Sequence, residues 1–329
     1  MYKDKNVLVA GGTGAIGIPL VKNLVSQGAN VRVVSLDSLE YSKCVLPAEV
    51  SFMQLNLTTS EACKQATKGV DYVFNLMCIK GSVSKINKNP EDFINYILFQ
   101  THLMHEAYKN KVDRFMFVGS ICSYPQMSIA KKEDDMWEGL PRQNDVYAGI
   151  AKRLGEIQGE MYFKDKFWDG VRIVRPCNCY GPFDDFNIQT AQVIPALIAK
   201  IESNITPVKI IGDGRAIRDF VYMDDIAEAL LLAMIKAPPC YPINIGSGNP
   251  IAIKELAQMV GRLSGKDIEF ENDDMAYSGD PVRYLDVSRM ETLIGFHCKT
   301  SLEEGIVKTF DWYRHNKNLL NVRKPFNVG

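Results

Sequence analysis

An α/β fold, with a doubly wound parallel sheet and a smaller C-terminal α/β region, is predicted by three observations. Short β-branched runs alternate with longer amphipathic stretches, a glycine-rich turn joins the first run to the first such stretch, and the texture of the chain changes after residue 176. Strands are expected at Asn6 to Ala10, Val31 to Ser35, Ser51 to Leu55, Tyr72 to Leu76, Arg114 to Val118 and Val171 to Arg175. Helices are expected between them at Ile18 to Gln27, Ser60 to Thr67, Pro90 to Lys109 and Ala148 to Phe163. Beyond residue 176, Gly181-Pro182, Asp184-Asp185, Gly212-Asp213-Gly214 and Pro238-Pro239 punctuate what read as shorter elements. The first domain is therefore set at residues 1–176 and the second mainly at 177–329, with a later segment expected to re-enter the first sheet.

Composition narrows the function. A chain of 329 residues has the length of about two domains and can build a core without staples. Thirty-eight Lys and Arg against 39 Asp and Glu give a formal charge of −1, so no field favours nucleic acid or an anionic membrane. The eight cysteines form no CxxC pair, which suits a reducing compartment. The N-terminus carries no export signal, and the apolar stretch from Ile226 to Ile235 is far short of the roughly 20 residues of a membrane span. A soluble cytoplasmic protein is expected. The mixed charges from Lys131 to Asp135 read as a solvated loop, and His102 and His105, without a third ligand nearby, as ordinary helix residues; no metal is implied.

The sharpest local signal is Val7 to Gly17, where a strand runs into Gly11-Gly12-Thr13-Gly14-Ala15-Ile16-Gly17 and a helix follows. Glycines at 11, 14 and 17 allow a tight turn, close approach of backbone to a pyrophosphate, and close helix packing. The diphosphate would lie on a helix N-terminus, where unpaired N–H groups and the dipole favour negative charge. Asp37, 20 residues beyond Gly17, stands where an acidic group would take the adenosine ribose hydroxyls and repel an extra phosphate, which favours NAD. Ser35, small and at the strand end, keeps NADP as the alternative, although no Arg or Lys immediately follows to clamp a phosphate.

Several further motifs stand in order. They are Asp71 to Leu76, Gly119-Ser120-Ile121-Cys122-Ser123-Tyr124-Pro125, Tyr147 to Lys152, Arg175 to Pro182, and Arg218 to Asp225. With the glycine loop, they resemble over nearly the whole chain the extended short-chain dehydrogenases/reductases of the NAD-dependent epimerase/dehydratase family. Among these, the GDP-fucose synthases and nucleotide-sugar 4-epimerases are most similar. The resemblance implies a Rossmann domain, a C-terminal nucleotide-sugar domain, chemistry in the cleft between them, and a homodimer. It also implies a catalytic set of Ser120, Cys122, Tyr147 and Lys152, with Asn178, Arg218 and Arg283 on the nucleoside diphosphate. The cofactor set is then Gly11, Thr13, Gly14, Ala15, Ile16, Gly17, Asp37, Asn56, Leu57 and Lys152. The chemistry suits these residue types. Hydride transfer at a carbinol needs an acid or base on the hydroxyl, a tyrosine titrates near 10 unless perturbed, and a neighbouring ammonium favours its phenolate. Guanidinium forks suit phosphate oxygens.

This sequence departs from the family pattern in three places. The family's tyrosine and lysine are four apart, about 40° on a helix, whereas Tyr147 and Lys152 are five apart, about 140°. Either Gly149 is an insertion absorbed by a π-bulge or by a helix starting after Tyr147, as Tyr147-Ala148 followed by Ile150-Ala151-Lys152 suggests, or Ala148 occupies the tyrosine's place. A histidine of the GDP-fucose synthases is replaced by Phe183, which cannot donate a proton, so the 3,5-epimerisation is not expected and Cys122 can equally be a small buried residue. The Asp-Glu pair of the dehydratases is missing from Ile121-Cys122-Ser123. What survives is NAD-dependent hydride transfer at C4 of a nucleoside-diphosphate sugar, most simply as an epimerase. The alternatives are an NADPH-dependent 4-keto-sugar reductase and a dinucleotide-binding scaffold or sensor that has lost catalysis.

Overall fold

A computed structural model describes residues 1–78, 92–273 and 280–323. Seven parallel strands form the main sheet: β1 (Asn6–Ala10), β2 (Asn30–Ser35), β3 (Ser51–Gln54), β4 (Tyr72–Asn75), β5 (Arg114–Val118), β6 (Val171–Pro176) and a late strand, β11 (Ile243–Ile245). Their spatial order is β11-β6-β5-β4-β1-β2-β3, so the direction of winding reverses between β1 and β4 and opens a crevice at the carboxyl ends of those strands. The strand and helix expectations hold to within a few residues at the ends, although residues 90 and 91 of the expected third helix lie outside the described residues.

Alternation along each strand decides which helix covers which face. Val7 and Val9 of β1, with Val33, Phe74, Met116, Val118 and Val174, meet α1 (Gly17–Ser26) and α7 (Met223–Lys236) through Leu20, Leu24, Ile226, Leu230 and Met234. Leu8 and Ala10, with Val73, Phe115, Phe117 and Ile173, meet the other layer. That layer is α3 (Ser60–Thr67), α4 (Asp92–Lys109) and α5 (Val146–Lys166). Both faces are covered, which is why the interior positions of β1, β4 and β5 are apolar on both sides, while Arg32 on β2 and Arg172 and Arg175 on β6 are held by hydrogen bonds. A helix not foreseen, α2 (Leu39–Val45), follows β2 and is capped by Ser38, whose hydroxyl accepts from the Tyr41 amide at 3.2 Å.

The C-terminal region has its own core and is not limited to short elements. Helices α6 (Val193–Glu202), α8 (Ile253–Ser264) and the 21-residue α10 (Leu302–Val322) pack Ile194, Leu197, Ile198, Leu256, Val260, Ile306 and Phe310 against β8 (Val208–Ile211). Small sheets are made by β7 (Asn178–Tyr180) with β10 (Phe220–Tyr222), β9 (Ile217–Arg218) with β12 (Ile251–Ala252) and β14 (Val282–Arg283), and β13 (Phe270–Asp273) with β8. A short helix, α9 (Ser288–Ile294), returns Met290 and Ile294 to the first core.

A buried polar network fastens the late strand to the sheet. Arg175 on β6 holds Glu156 on α5 through two bonds, of 2.8 and 2.6 Å, and also donates to the Tyr124 hydroxyl at 2.8 Å. Tyr124 donates to Asn244 of β11 at 2.6 Å, whose amide donates to the carbonyls of Lys131 and Asp286. This corrects the reading of residues 131–135 as a solvated loop. Lys131 and Glu133 are buried, and the Glu133 carboxylate accepts from the Asn244 amide at 2.8 Å.

Candidate active site

The turn after β1 is shaped for close approach of another molecule's charge. Gly11 has φ +82°, and a Cβ there would lie 3.3 Å from the Met77 nitrogen. A Cβ on Gly14 would stand 3.2 Å from the Gly11 oxygen, and one on Gly17 only 2.6 Å from the Gly11 oxygen and the Gly12 Cα. Side chains at these positions would therefore fill the cradle. It opens at the start of α1, beside Ala15 and Ile16, where no side chain caps the helix and its positive dipole end faces outward. A dinucleotide's diphosphate fits this arrangement. Thr13 plays a different part: it is fully buried and its hydroxyl donates to the Asp37 carboxylate at 2.6 Å, with the Ser35 hydroxyl 2.7 Å away. Asn56 and Leu57 follow β3 on the same carboxyl edge of the sheet; the Asn56 side chain accepts from the Thr58 amide, and Leu57 is buried.

At the end of β5 the chain enters a 3-10 turn, Ile121–Ser123, whose N-cap is Ser120, accepting from the Cys122 amide at 3.1 Å. Lys152 reaches the same strand end from α5. Its ammonium donates to the Val118 carbonyl at 2.7 Å and lies 4.6 Å from the centre of the Tyr96 ring. Burial lowers the Lys152 pKa, while Cys78, Cys122 and Glu156 oppose that shift. The Tyr96 hydroxyl beside it is buried and has no hydrogen-bond partner among the described residues.

The structure does not bring Tyr147 to Lys152. Helix α5 begins at Val146, before Tyr147, and is α-helical throughout, so neither a π-bulge nor a late start absorbs a residue. Five positions therefore turn Tyr147 about 140° away from Lys152, while Ala148 lies about 40° from it. Tyr147 is 56% exposed, on the side that also carries the exposed Ile150, Ile157 and Met161. Gly149 is not slack in the chain: a Cβ there would meet the Cys122 oxygen and Pro141 at 2.5 Å, so glycine is what lets α5 cross the 3-10 turn.

Opposite this edge lies a buried cluster of charges that the sequence does not announce. Arg283 on β14 donates to the Cys122 sulfur at 3.0 Å and pairs with Asp145 at 3.1 Å. Arg142 donates to Asp145 at 2.7 Å and lies 3.6 Å from Asp280. Burial pulls Arg218 down to about 10, helped by Arg283 and Arg142, and pulls Lys131 down to about 8 despite Asp280. Burial alone would raise Asp145, but Arg283 and Arg142 hold it below the usual carboxylate range. Among the described residues four cations thus gather around two carboxylates, Asp145 and Asp280, and Arg142 Nη1 and Asp280 Oδ1 have no hydrogen-bond partner there. Such an excess suits a doubly charged diphosphate. Asn178, expected on the same ligand, is half-buried and donates to the Asp219 carbonyl at 2.8 Å. Phe183 is committed to packing, 4.8 Å from Trp312. His102 and His105 bond to the Thr58 carbonyl and the Tyr162 hydroxyl, and no group of three metal-binding side chains comes together among the described residues.

Of these residues, Lys131, Arg142, Asp145 and Asp280 were missed by sequence reasoning. Asp145, three beyond Arg142 and directly before α5, was the one local signal.

A diphosphate cradle at the switch point of a parallel sheet, with a serine, a cysteine and a buried lysine at the same edge, defines a nicotinamide-dinucleotide oxidoreductase of the Rossmann type. The chain belongs to the NAD dependent epimerase/dehydratase family, whose model matches residues 7–246. It is 30% identical over 325 residues to the putative GDP-L-fucose synthase 2 of Arabidopsis thaliana, covering 96% of this chain and 94% of that protein. It is likewise 30% identical to the GDP-L-fucose synthase of Escherichia coli K12, over 95% and 98% of the two chains. Among solved structures, the UDP-glucose 4-epimerase of Thermotoga maritima with UDP-glucose is similar with a TM-score of 0.83 at 26% identity, covering 95% of this chain and 99% of that one. Among the described residues no helix is long and apolar enough to cross a membrane.

Proposed function

We propose that the protein moves a hydride at C4 of a nucleoside-diphosphate sugar, in its simplest form as an epimerase that oxidises and re-reduces one carbon with a retained nicotinamide dinucleotide. The observation that carries this reading is the convergence of Lys131, Arg142, Arg218 and Arg283 into one cluster beside Cys122, facing the cofactor edge of the sheet. The names of the relatives support the substrate class, since each is a GDP-sugar or UDP-sugar enzyme. When bound, the dinucleotide supplies or accepts the hydride. The chain's own groups do the rest: the arginines hold the diphosphate, Ser120 and Lys152 orient the reacting hydroxyl and the nicotinamide ribose, and Cys122 holds the transferable proton at Sγ. Arg283 donates to that sulfur and fixes its position at the end of the 3-10 turn.

This reading assigns residues 1–176 to the dinucleotide and 177–329 mainly to the nucleotide sugar, with β11 lent to the first sheet. It also gives Tyr147 a different partner. With Ile94, Leu98, Ile150, Ile157 and Met161 it forms an exposed apolar face across α4 and α5, suited to a second copy in a homodimer. The absence of a disulfide among the described cysteines fits a reducing, cytoplasmic setting.

A second reading, an NADPH-dependent 4-keto-sugar reductase, is favoured by one observation, the ion pair between Asp37 and Arg323 at 3.3 Å. Purified protein is to be denatured and its released nucleotide identified by mass spectrometry, then assayed with UDP- and GDP-sugars and their 4-keto forms. Conversion without added cofactor supports the epimerase, and stoichiometric oxidation of reduced cofactor supports the reductase. Binding of both ligands with no turnover would leave only a scaffold. Sedimentation equilibrium showing a monomer at micromolar concentration would remove the homodimer.

A further inference from the structure

The last turn of α10 lies against the adenosine side of the dinucleotide site. Leu319 and Val322 pack with Ile18 of α1 and with Tyr41 and Val45 of α2. Arg323 follows directly. Its Nε is 3.3 Å from one Asp37 oxygen and its Nη2 is 3.3 Å from the other, and the guanidinium carbon is 5.4 Å from the centre of the Tyr41 ring. The same carboxylate already accepts from the Thr13 hydroxyl at 2.6 Å and meets the Ser35 hydroxyl at 3.3 Å.

We propose that Arg323 converts the adenosine ribose position into a site for a dinucleotide carrying a 2′-phosphate, so that the C-terminal helix supplies the cofactor-selecting residue. The inference rests on the reading of the glycine turn as a dinucleotide site and deepens it. A free carboxylate at Asp37 would accept the ribose hydroxyls and repel a phosphate. Here its charge is balanced by a guanidinium and its oxygens are taken by Thr13, Ser35 and Arg323. Arginine carries five N–H donors, and the two nitrogens on Asp37 leave others to bind phosphate oxygens. The Arg323 side chain is 35% exposed, against 12% for Asp37, so the cation and not the carboxylate is the group a ligand meets. Ser35, small at the strand end, adds no second negative charge.

The test uses the full chain and two probes without nicotinamide, 5′-ADP and 2′,5′-ADP, titrated calorimetrically into the wild type, Arg323→Ala and Arg323→Lys, with thermal denaturation as a check of folding. The wild type is expected to bind 2′,5′-ADP about tenfold or more tightly than 5′-ADP. In Arg323→Ala that preference should fall to about threefold or less while 5′-ADP binding stays within about threefold, and Arg323→Lys should keep part of it. A wild type that prefers 5′-ADP would overturn the proposal, as would an unchanged ratio in Arg323→Ala or an equal loss of both probes, which marks only a docking role for the helix. Failure of the wild type to bind either probe, or NADH or NADPH by fluorescence, would instead sink the dinucleotide reading on which it rests.

Discussion

Arg283 Nη2 lies 3.0 Å from the sulfur of Cys122 and 3.1 Å from the carboxylate of Asp145, across 161 residues of sequence from that cysteine. One guanidinium thus ties a strand of the C-terminal region to the 3-10 turn that follows β5. Burial works against its charge, yet Cys122 and Asp145 raise its pKa, so it stays cationic at any working pH.

Replacing Arg283 by Met is expected to weaken UDP or GDP binding by about 10- to 100-fold, because a two-pronged donor to phosphate is lost. Dinucleotide binding should be untouched. Calorimetric titration of each ligand separately checks this, and equal losses for both ligands would mean that the variant has merely loosened the fold.

Lys131 gives the site a pH dependence. Burial holds its pKa at about 8, below the value in an unfolded chain, so the unfolded state binds this proton more tightly. The stability cost of the buried ammonium is therefore fully present below about pH 8 and is relieved as pH rises toward the unfolded value. A bound diphosphate favours the charged form, so nucleotide affinity should decline as pH rises through about 8. Titrations across that range should show the decline in wild type and a flatter profile in Lys131→Met; the same slope in both would exclude Lys131 as its source.

The position of Tyr147 on the exposed face of α5 predicts that Tyr147→Phe keeps turnover within about threefold, whereas Lys152→Met and Cys122→Ser each lose about 100-fold or more. Steady-state rates on the true substrate decide it. A large loss in Tyr147→Phe with dinucleotide affinity intact would return the proton-transfer role to the tyrosine and require the first turn of α5 to unwind in the complex.

Glu156 and Arg175 are both almost completely buried and bonded at 2.6 Å. Arg175→Met alone strands a buried carboxylate and should cost about 3–5 kcal/mol of stability in urea denaturation, as should Glu156→Leu. The paired replacement should cost clearly less than either, since no uncompensated charge remains.

The first six strands were legible because a parallel sheet buried on both faces favours short runs of mostly apolar residues bounded by turns, and the cofactor turn because only glycine fits at 17. Helix α2 was not legible: Leu39 to Val45 is only seven residues, too short for a periodic signal, and is held by its Ser38 cap and the burial of Tyr41. The mixed charges at 131–135 looked solvated because sequence shows their polarity and not their partners, which lie at Asn244, Asp280 and Arg289.

By itself the sequence determined the doubly wound class, the diphosphate turn and the family, since each depends on residue type and short-range spacing, which a linear chain records directly. Only the tertiary structure decided three other matters: that Lys152 shares its helix face with Ala148 and not Tyr147, that four distant cations converge beside Cys122, and that Arg323 neutralises Asp37 from 286 residues away. The physical reason is the same in each case. Charge acts through distance in space, and a side chain's direction depends on where its helix begins, so neither is set until the elements have packed.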